Sequence, residues 1–499
     1  MSAAAPALSV VVPTLDHRGH IAESLSSWTR GQTLARDRYE VIVVDDGGDP
    51  AIARTARGLL GAGDRLLTVA GAAEPVLHDQ GARAARGAVV LFTEAHCVAE
   101  PDCLAKLLAY LDAHHNELAG ACLTTLDDGN PHPIARIEAR AYQEGFARWS
   151  QPGDWRKVTI RGTAVRRDAY LDVGGFDGGL GVFSEMALAA ELDAAGHRLG
   201  HAAAARIRHY NSTAAADLLD YVAAFHDGEV RYRARVPAAR FDAYFGWGAG
   251  WAEAGAGERR LAFACARSSL ARGLAAIARG RSGALARSMS AVLAERAGDA
   301  LTAGRSGLLR ADLAYAWARL RFARPGLDAE ERYRRFQVLW EAAGRRGLER
   351  ALRRARAGRV AAAAPAPAPA LLYRPGDLAS DALCGCHARE QYAGRSFRWT
   401  SPLALLRIRV PPGDYAIVLD AGGLSALRAD GFDVYLDGVR VPPAAPPPDG
   451  GYAFAAPRAL FAADGARALV IAAPRLRAVA PAERRALGLP LFAVEFRPG

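Results

Sequence analysis

At 499 residues, 51% of them apolar, the chain has room for two or three domains with real cores, which excludes a disordered protein. Its formal charge of +10 rests on 63 basic against 53 acidic residues, yet Lys106 and Lys157 are the only lysines. The Arg, Ala and Gly excess reads as a GC-rich bacterial genome or as a surface for anions, since guanidinium grips phosphates and carboxylates bidentately.

In chain order, residues 8–12 (LSVVV) predict a buried strand that Pro13-Thr14 stops. Residues 20–30 carry Ile21, Leu25 and Trp28 at helical spacing. Residues 39–44 (YEVIVV) form a β-branched run ending in Asp45-Asp46-Gly47-Gly48. An Ala/Arg-rich helix, a strand near 66–69, a small helix near 80–86 and a strand at 88–92 follow. Strands alternating with helices predict a mostly parallel α/β sheet with both faces covered. Ligands of such sheets bind beyond the carboxyl ends of the strands. Pro13-Thr14, Asp45-Asp46 and Glu94-x-His96 each fall just past a strand, so all three are expected to line one crevice.

After His209 the pattern changes. Residues 216–358 predict an α-helical extension rich in Arg; from 259 to 356 there are 22 Arg against 8 acidic residues. An Ala/Pro segment at 359–371 reads as a semi-rigid linker. Residues 372–499 hold short apolar runs between Pro/Gly turns, which predict a β-sandwich. Six scattered cysteines argue against a disulfide scaffold, and Cys384-x-Cys386 with His387 is too tight for a zinc site without a second pair. No run approaches the ~20 apolar residues that span a bilayer. The start lacks the basic and apolar regions of a signal peptide. A cytoplasmic protein is expected, with peripheral contact at the inner face of the plasma membrane.

Four segments carry a resemblance in the right order and spacing: SVVVPTLD, YEVIVVDDGG, QGARAARGAVVLF and VGGFDGGLGVFSEMALAAELDAAGHRLGHAAAARIRHYN. Over about 205 residues they resemble the family 2 glycosyltransferases, whose fold is called GT-A. The resemblance implies a GT-A domain at 1–215 that moves a sugar from a nucleotide-diphosphate donor with inversion at the anomeric carbon. It implies a nucleotide site at Pro13, Thr14, Asp16, Asp45 and Asp46, with His78 and Asp79 near the diphosphate. It implies donor-sugar contacts at Arg161 and Gly162, from RGTAVRRD. Trp149 and Trp155, just ahead, read equally as a sugar platform or as packing.

The family's Asp-x-Asp is replaced here by Glu94-Ala95-His96. Glu94, His96 and His209 together offer a donor set for Mg²⁺ or Mn²⁺, the imidazoles tilting it toward Mn²⁺. The open alternatives are a metal-free reaction in which Arg replaces the cation, and an inactive domain. The family's acidic pair is Ser184-Glu185 here, so Glu185 is the candidate base; the competing reading is a solvated helix-N-terminal Glu.

The expected partners are a nucleotide-diphosphate sugar and a glycan or lipid-linked acceptor in cell-surface polysaccharide synthesis. The Arg-rich helices read as a solvated extension or as a surface for anionic lipid. No nucleic acid is expected, because no binding motif accompanies the charge. In the C-terminal region Tyr392, Phe397 and Trp399 read as core or as a glycan face. The runner-up function is a silent nucleotide-sugar or glycan-binding module. A dinucleotide enzyme is set aside for want of Gly-x-Gly-x-x-Gly after the first strand.

Overall fold

The structure is a computed structural model and describes residues 5–245, 256–278, 306–357, 370–378, 382–423, 431–447, 451–473 and 487–498. The chain divides into two compact units, one of Met1–Tyr232 with Ala311–Ala351, the other of Arg233–Arg310 with Leu352–Gly499. The helical stretch is therefore shared between them. The expected 359–371 linker lies outside the described residues except for its last two positions.

In the first unit an eight-stranded sheet runs β3-β2-β1-β4-β7-β6-β8-β5. Its strands are β1 (Leu8–Pro13), β2 (Tyr39–Asp45), β3 (Arg65–Thr68), β4 (Val89–Phe92), β5 (Cys97–Ala99), β6 (Gly120–Asp127), β7 (Thr163–Arg166) and β8 (Leu199–His209). The first four are mutually parallel, as are β6 and β8, while β7 and β5 run antiparallel to their neighbours. Every residue of β1 and β2 is buried, as strands covered on both faces require.

Helices α1 (Ile21–Thr29), α2 (Pro50–Leu59), α3 (Glu74–Ala84), α4 (Cys103–Ala113), α5 (Pro133–Trp149), α6 (Arg167–Asp172) and α7 (Ser184–Ala194) connect these strands. The predicted helix near 80–86 starts earlier, at Glu74, with Pro75 in its first turn, where a missing N–H costs nothing. Gly81 explains how closely α3 lies on the sheet: a Cβ there would meet Val11 Cγ1 at 2.3 Å. Three further helices belong largely to this unit, α8 (Ala215–Arg233), α11 (Ser306–Phe322) and α12 (Ala329–Ala357). Leu218, Leu219 and Val222 of α8 share a core with Ile134 and Ile137 of α5 and with Phe336 and Leu339 of α12.

The second unit holds α9 (Ala238–Phe245), α10 (Ala256–Ala278) and two antiparallel sheets packed face to face. One sheet comprises β10 (Leu383–Tyr392), β11 (Arg395–Arg409), β16 (Ala466–Ala472), β13 (Asp433–Leu436) and β14 (Val439–Val441), with β17 (Pro490–Leu491) on β11. The other comprises β15 (Tyr452–Ala455), β12 (Tyr415–Asp420), β18 (Ala493–Pro498) and β9 (Leu372–Tyr373). Helix α10 covers the outside of the larger sheet, setting Ala262, Cys265 and Ala266 on Leu403, Leu405 and Val470. Arg407 of that sheet grips Glu258 bidentately at 2.6 Å. Phe397 and Trp399 are core, and only Tyr392 of the three candidate glycan aromatics is exposed. Cys384 and Cys386 are buried free thiols pushed up to about 12 by desolvation.

Candidate active site

The carboxyl ends of β2, β1 and β4 lie side by side, so Asp45, Pro13-Thr14 and Thr93-Glu94 emerge at one edge. Pro13 ends β1 inside the sheet, and Thr14 N donates to Val44 O at 3.0 Å. The Thr14 hydroxyl stands 3.1 Å from Asp45 Oδ1 and 3.2 Å from Asp46 Oδ1. Backbone bonds from Val69 N to Asp45 O and Gly71 N to Asp46 O hold the loop beyond β2. Two acceptor-rich carboxylates are thus fixed where a parallel sheet receives its ligand.

Glu94, His96 and His209 converge beside them. β5 pairs with β8 so that Cys97 is opposite His209, which brings two residues far apart in the chain to one point. His96 Nε2 lies 3.0 Å from His209 Nε2, and Glu94 Oε2 lies 3.6 and 3.4 Å from those two nitrogens. His96 Nδ1 sits 2.6 Å from the carbonyl of Asp16, so it carries the proton and donates it. His209 Nδ1 likewise donates to Asn211 Oδ1 at 3.1 Å. Asn211 is oriented by its own amide, which donates to Asp127 Oδ1 and Asp128 Oδ1. These networks assign the tautomers and leave both Nε2 lone pairs facing inward.

The electrostatics agree. Burial pushes His96 down to about 3 and lowers His209, so both rings are neutral. Glu94 is held well below the usual carboxylate range: burial opposes this, and the nearby Arg161 charge favours the ionised form. A carboxylate and two neutral imidazoles with outer-shell hydrogen bonds form a donor set that fits a divalent cation.

Two arginines border this cluster, and Glu138 of α5 ties both. Arg161 Nη2 donates to Glu138 Oε1 at 2.7 Å while its guanidinium lies 4.0 Å over the Tyr142 ring. Arg18 Nη1 is 3.7 Å from Glu138 Oε2 and donates to Tyr210 O at 2.7 Å. Arg18 also pairs with Asp16 at 2.9 Å. Asp16 and Arg18 both have left-handed backbones (φ 47° and 49°), the curl that turns the Asp16 carbonyl toward His96.

Glu185 sits in the first turn of α7, where the helix dipole favours a carboxylate. Burial wins: its pKa is pushed up to about 8, with Glu94 adding to the rise and the Ile160 amide and Arg161 opposing it. Ile160 N donates to Glu185 Oε2 at 3.0 Å and fixes the carboxyl. Glu74, at the start of α3, belongs to the same group. Desolvation, then Glu94, Glu185 and Asp16, drive its pKa well up, and its Oε1 is buried without a partner.

Asp45, Asp46, Thr14, Asp16, Glu94, His96, His209, Arg161 and Glu185 are therefore brought to one end of the sheet. Three other expected residues are placed differently. His78 is fully buried against Phe92 and Phe176 with both ring nitrogens unpartnered, and desolvation lowers it to about 4. Asp79 accepts from the Tyr170 hydroxyl at 3.0 Å and pairs with Arg83 at 2.7 Å, which braces α3. Gly162 packs toward Leu123 and Ile207, where a Cβ would sit 3.2 Å from each. Arg18, Glu74, Glu138 and Asn211 escaped the sequence reading. Only Glu138 left a signal, an acid inside the buried stripe Ile134, Ala135, Ile137 and Ala139 of α5.

Residues 6–222 match the family model described as glycosyltransferase like family 2. Solved structures that the chain resembles include the mannosyltransferase PcManGT from Pyrobaculum calidifontis in complex with GDP-Man and Mn²⁺. It is 16% identical, with 69% of this chain and 86% of that chain covered and a TM-score of 0.35. No curated protein matches the chain. Residues 6–222, which carry the whole cleft described above, are thus similar to the family 2 glycosyltransferases.

Proposed function

We propose that the domain transfers a sugar with inversion from a nucleoside-diphosphate sugar to a glycan or lipid-linked hydroxyl, and that a divalent cation, Mn²⁺ before Mg²⁺, assists it. The observation that carries this reading is the convergence of Glu94, His96 and His209 with Glu185 at the edge that holds Asp45 and Thr14. Asp45 and Asp46 accept hydrogen bonds from ribose hydroxyls or a base N–H. Glu94, His96 and His209 hold the cation, which when bound neutralises charge on the diphosphate. Arg18 and Arg161 add fixed positive charge on the same side. Glu185 takes the acceptor hydroxyl's proton as that oxygen attacks the anomeric carbon opposite the diphosphate. A base near 8 is well matched to this near neutral pH.

The test is nucleotide release across UDP-, GDP- and other nucleotide sugars with Mg²⁺, Mn²⁺ or chelator, and NMR of the product anomer. Metal-dependent release with an inverted product is expected. Binding without release or transfer would make the domain a silent nucleotide-sugar-binding module.

Peripheral contact with an anionic membrane belongs to the same reading. Leu313, Trp317 and Leu320 are 61%, 62% and 68% exposed on one face of α11, with exposed Arg319 and Arg321 beside them. No described helix is long and apolar enough to cross a membrane. An apolar stripe edged by Arg suits an interfacial helix. Cell-surface polysaccharide synthesis on a lipid-linked acceptor, at the cytoplasmic face, would place the enzyme there.

A further inference from the structure

Helix α8 leaves β8 directly after the His209 cluster. Ser212 N donates to Glu138 Oε2 at 2.6 Å and Ser212 Oγ to Asp217 Oδ2 at 2.7 Å, so the start of α8 is anchored to the carboxylate that holds Arg161. Farther along, Phe225 packs edge-on against Phe183 at 5.0 Å, the residue immediately before Ser184-Glu185. Gly228 lies so close to Leu180 O that a Cβ would approach it to 2.0 Å. Both ends of α8 are thus pinned, one beside Arg161 and one beside Glu185. Tyr221, a turn before Phe225, is carried between them.

Helix α12 (Ala329–Ala357) completes the wall. A Cβ on Gly347 would meet Ala223 Cα at 2.8 Å, and one on Gly344 would meet His226 Nε2 at 2.9 Å, so the two helices touch nearly backbone to backbone. That contact sets Trp340 beside Tyr221, rings 6.5 Å apart and 29° from parallel, with Phe225 6.4 Å away. Tyr221 keeps 41% of its surface exposed, although large aromatics in this unit are otherwise mostly covered. Its phenol is pushed well up, first by the protein crowding it, then by Glu185, with Glu94 and Glu74 adding and Arg161 opposing. Through Phe225 and Phe183 the ring is carried to the side of the cleft that holds Glu185.

A pyranose has one face of C–H bonds and a rim of hydroxyls. An open aromatic surface beside hydrogen-bonding carboxylates is its complement. We propose that Tyr221, backed by Trp340, is the platform on which the acceptor sugar lies, holding its hydroxyl toward Glu185. The assignment rests on the transferase reading above, and favours the acceptor because Phe225 links Tyr221 to Phe183, the residue just before Ser184 and Glu185, the proton-accepting group. Glu74, with a buried and unpartnered Oε1, is the natural acceptor for a second hydroxyl. A helix from beyond residue 222 thereby joins the active site.

Two readouts test this. In saturation-transfer NMR with methyl glucoside, galactoside, mannoside and N-acetylglucosaminide, the full chain and Tyr221→Phe should show ring C–H signals for at least one glycoside. Tyr221→Ala should lose them at least tenfold. Unchanged signals in Tyr221→Ala, or none in the full chain, overturn the platform without reference to catalysis. In nucleotide release, Tyr221→Ala and Trp340→Ala should keep donor hydrolysis within about twofold while transfer to the bound glycoside falls at least tenfold, through KM. Equal losses of hydrolysis and transfer in Tyr221→Ala would make the residue part of the donor site or the fold and overturn the proposal. A full chain that binds glycosides but releases no nucleotide from any donor would sink the transferase reading alone.

Discussion

His96 and His209 face each other Nε2 to Nε2 across 3.0 Å, each with its Nδ1 proton already committed to an oxygen. Two lone pairs at that distance repel, and Glu94 adds a negative charge within 3.6 Å of both. A cation at this point relieves all three. Mn²⁺ is expected to raise the melting temperature of chelator-treated protein more than Mg²⁺, by the equivalent of about 2.7 kcal/mol at a hundred times Kd. His209→Ala should abolish the shift. A melting curve indifferent to Mn²⁺ would leave the cluster without its cation.

Asn211 is a positioning residue for the same cluster. Its carbonyl fixes the His209 tautomer, and its amide is held by Asp127 and Asp128. Asn211→Ala frees the ring to flip or to protonate at Nε2. Loss of such an outer-shell partner typically weakens metal binding by about 10–100-fold. Calorimetric titration with Mn²⁺ reads this directly, and an unchanged Kd would reduce Asn211 to a packing role.

Glu185 couples activity to stability with opposite signs. Its folded pKa of about 8 lies above the ordinary 4.5, so between those values the folded chain holds a proton that the unfolded chain has lost. Its contribution to stability is complete below pH 4.5 and drains away as pH rises toward 8, at ~1.4 kcal/mol per unit of pKa shift. Glu185→Gln removes the drain. It should melt higher than the parent at pH 8, by a margin that closes at pH 5, while transfer is abolished and nucleotide affinity stays nearly intact. Transfer by the parent should climb from pH 6 to 8 as the carboxyl ionises. Full turnover in Glu185→Gln would end the base assignment.

Much of the site was legible because a parallel sheet concentrates chemistry at strand ends, and strand ends are written in local sequence. YEVIVV stopping at Asp45-Asp46 and VVLF stopping before Glu94 each mark such an end. His209 was legible through its motif, and the β5–β8 register delivers it. The groups that were not legible depend on backbone shape or helix docking. Arg18 reaches Glu138 through a loop with two left-handed residues. Tyr221 meets Trp340 where Gly344 and Gly347 let α12 press on α8. His78 shows the converse: a histidine in the expected place of a motif lies on the inward face of α3, between Phe92 and Phe176.

Glu138 should be the costliest single side chain of the cleft for stability. Its two oxygens serve Arg161, Arg18 and the Ser212 amide, and it is only 7% exposed. Glu138→Ala strands the Arg161 guanidinium and a buried N–H, an outcome that usually costs ~3–5 kcal/mol. Glu138→Gln keeps the shape and one accepting oxygen, and should lose less. Urea denaturation of the two variants separates them. Equal and small losses would mean the arginines are solvated independently of Glu138.

The exposed face of α11 makes a prediction about lipid. Leu313, Trp317 and Leu320 fall within one side of the helix, while Ala311, Ala318 and Phe322 turn toward the protein. An apolar stripe of this kind gains from the acyl boundary, and each nearby Arg adds ~1 kcal/mol at an anionic surface. The protein should co-sediment with vesicles containing phosphatidylglycerol and not with pure phosphatidylcholine. Trp317→Ala should weaken the apolar part at any salt concentration. A joint Arg319→Gln and Arg321→Gln change should weaken binding by roughly 10–30-fold at low salt and much less at 0.5 M NaCl, where screening has already removed that part. Sedimentation unaltered by both changes would move the contact off this helix.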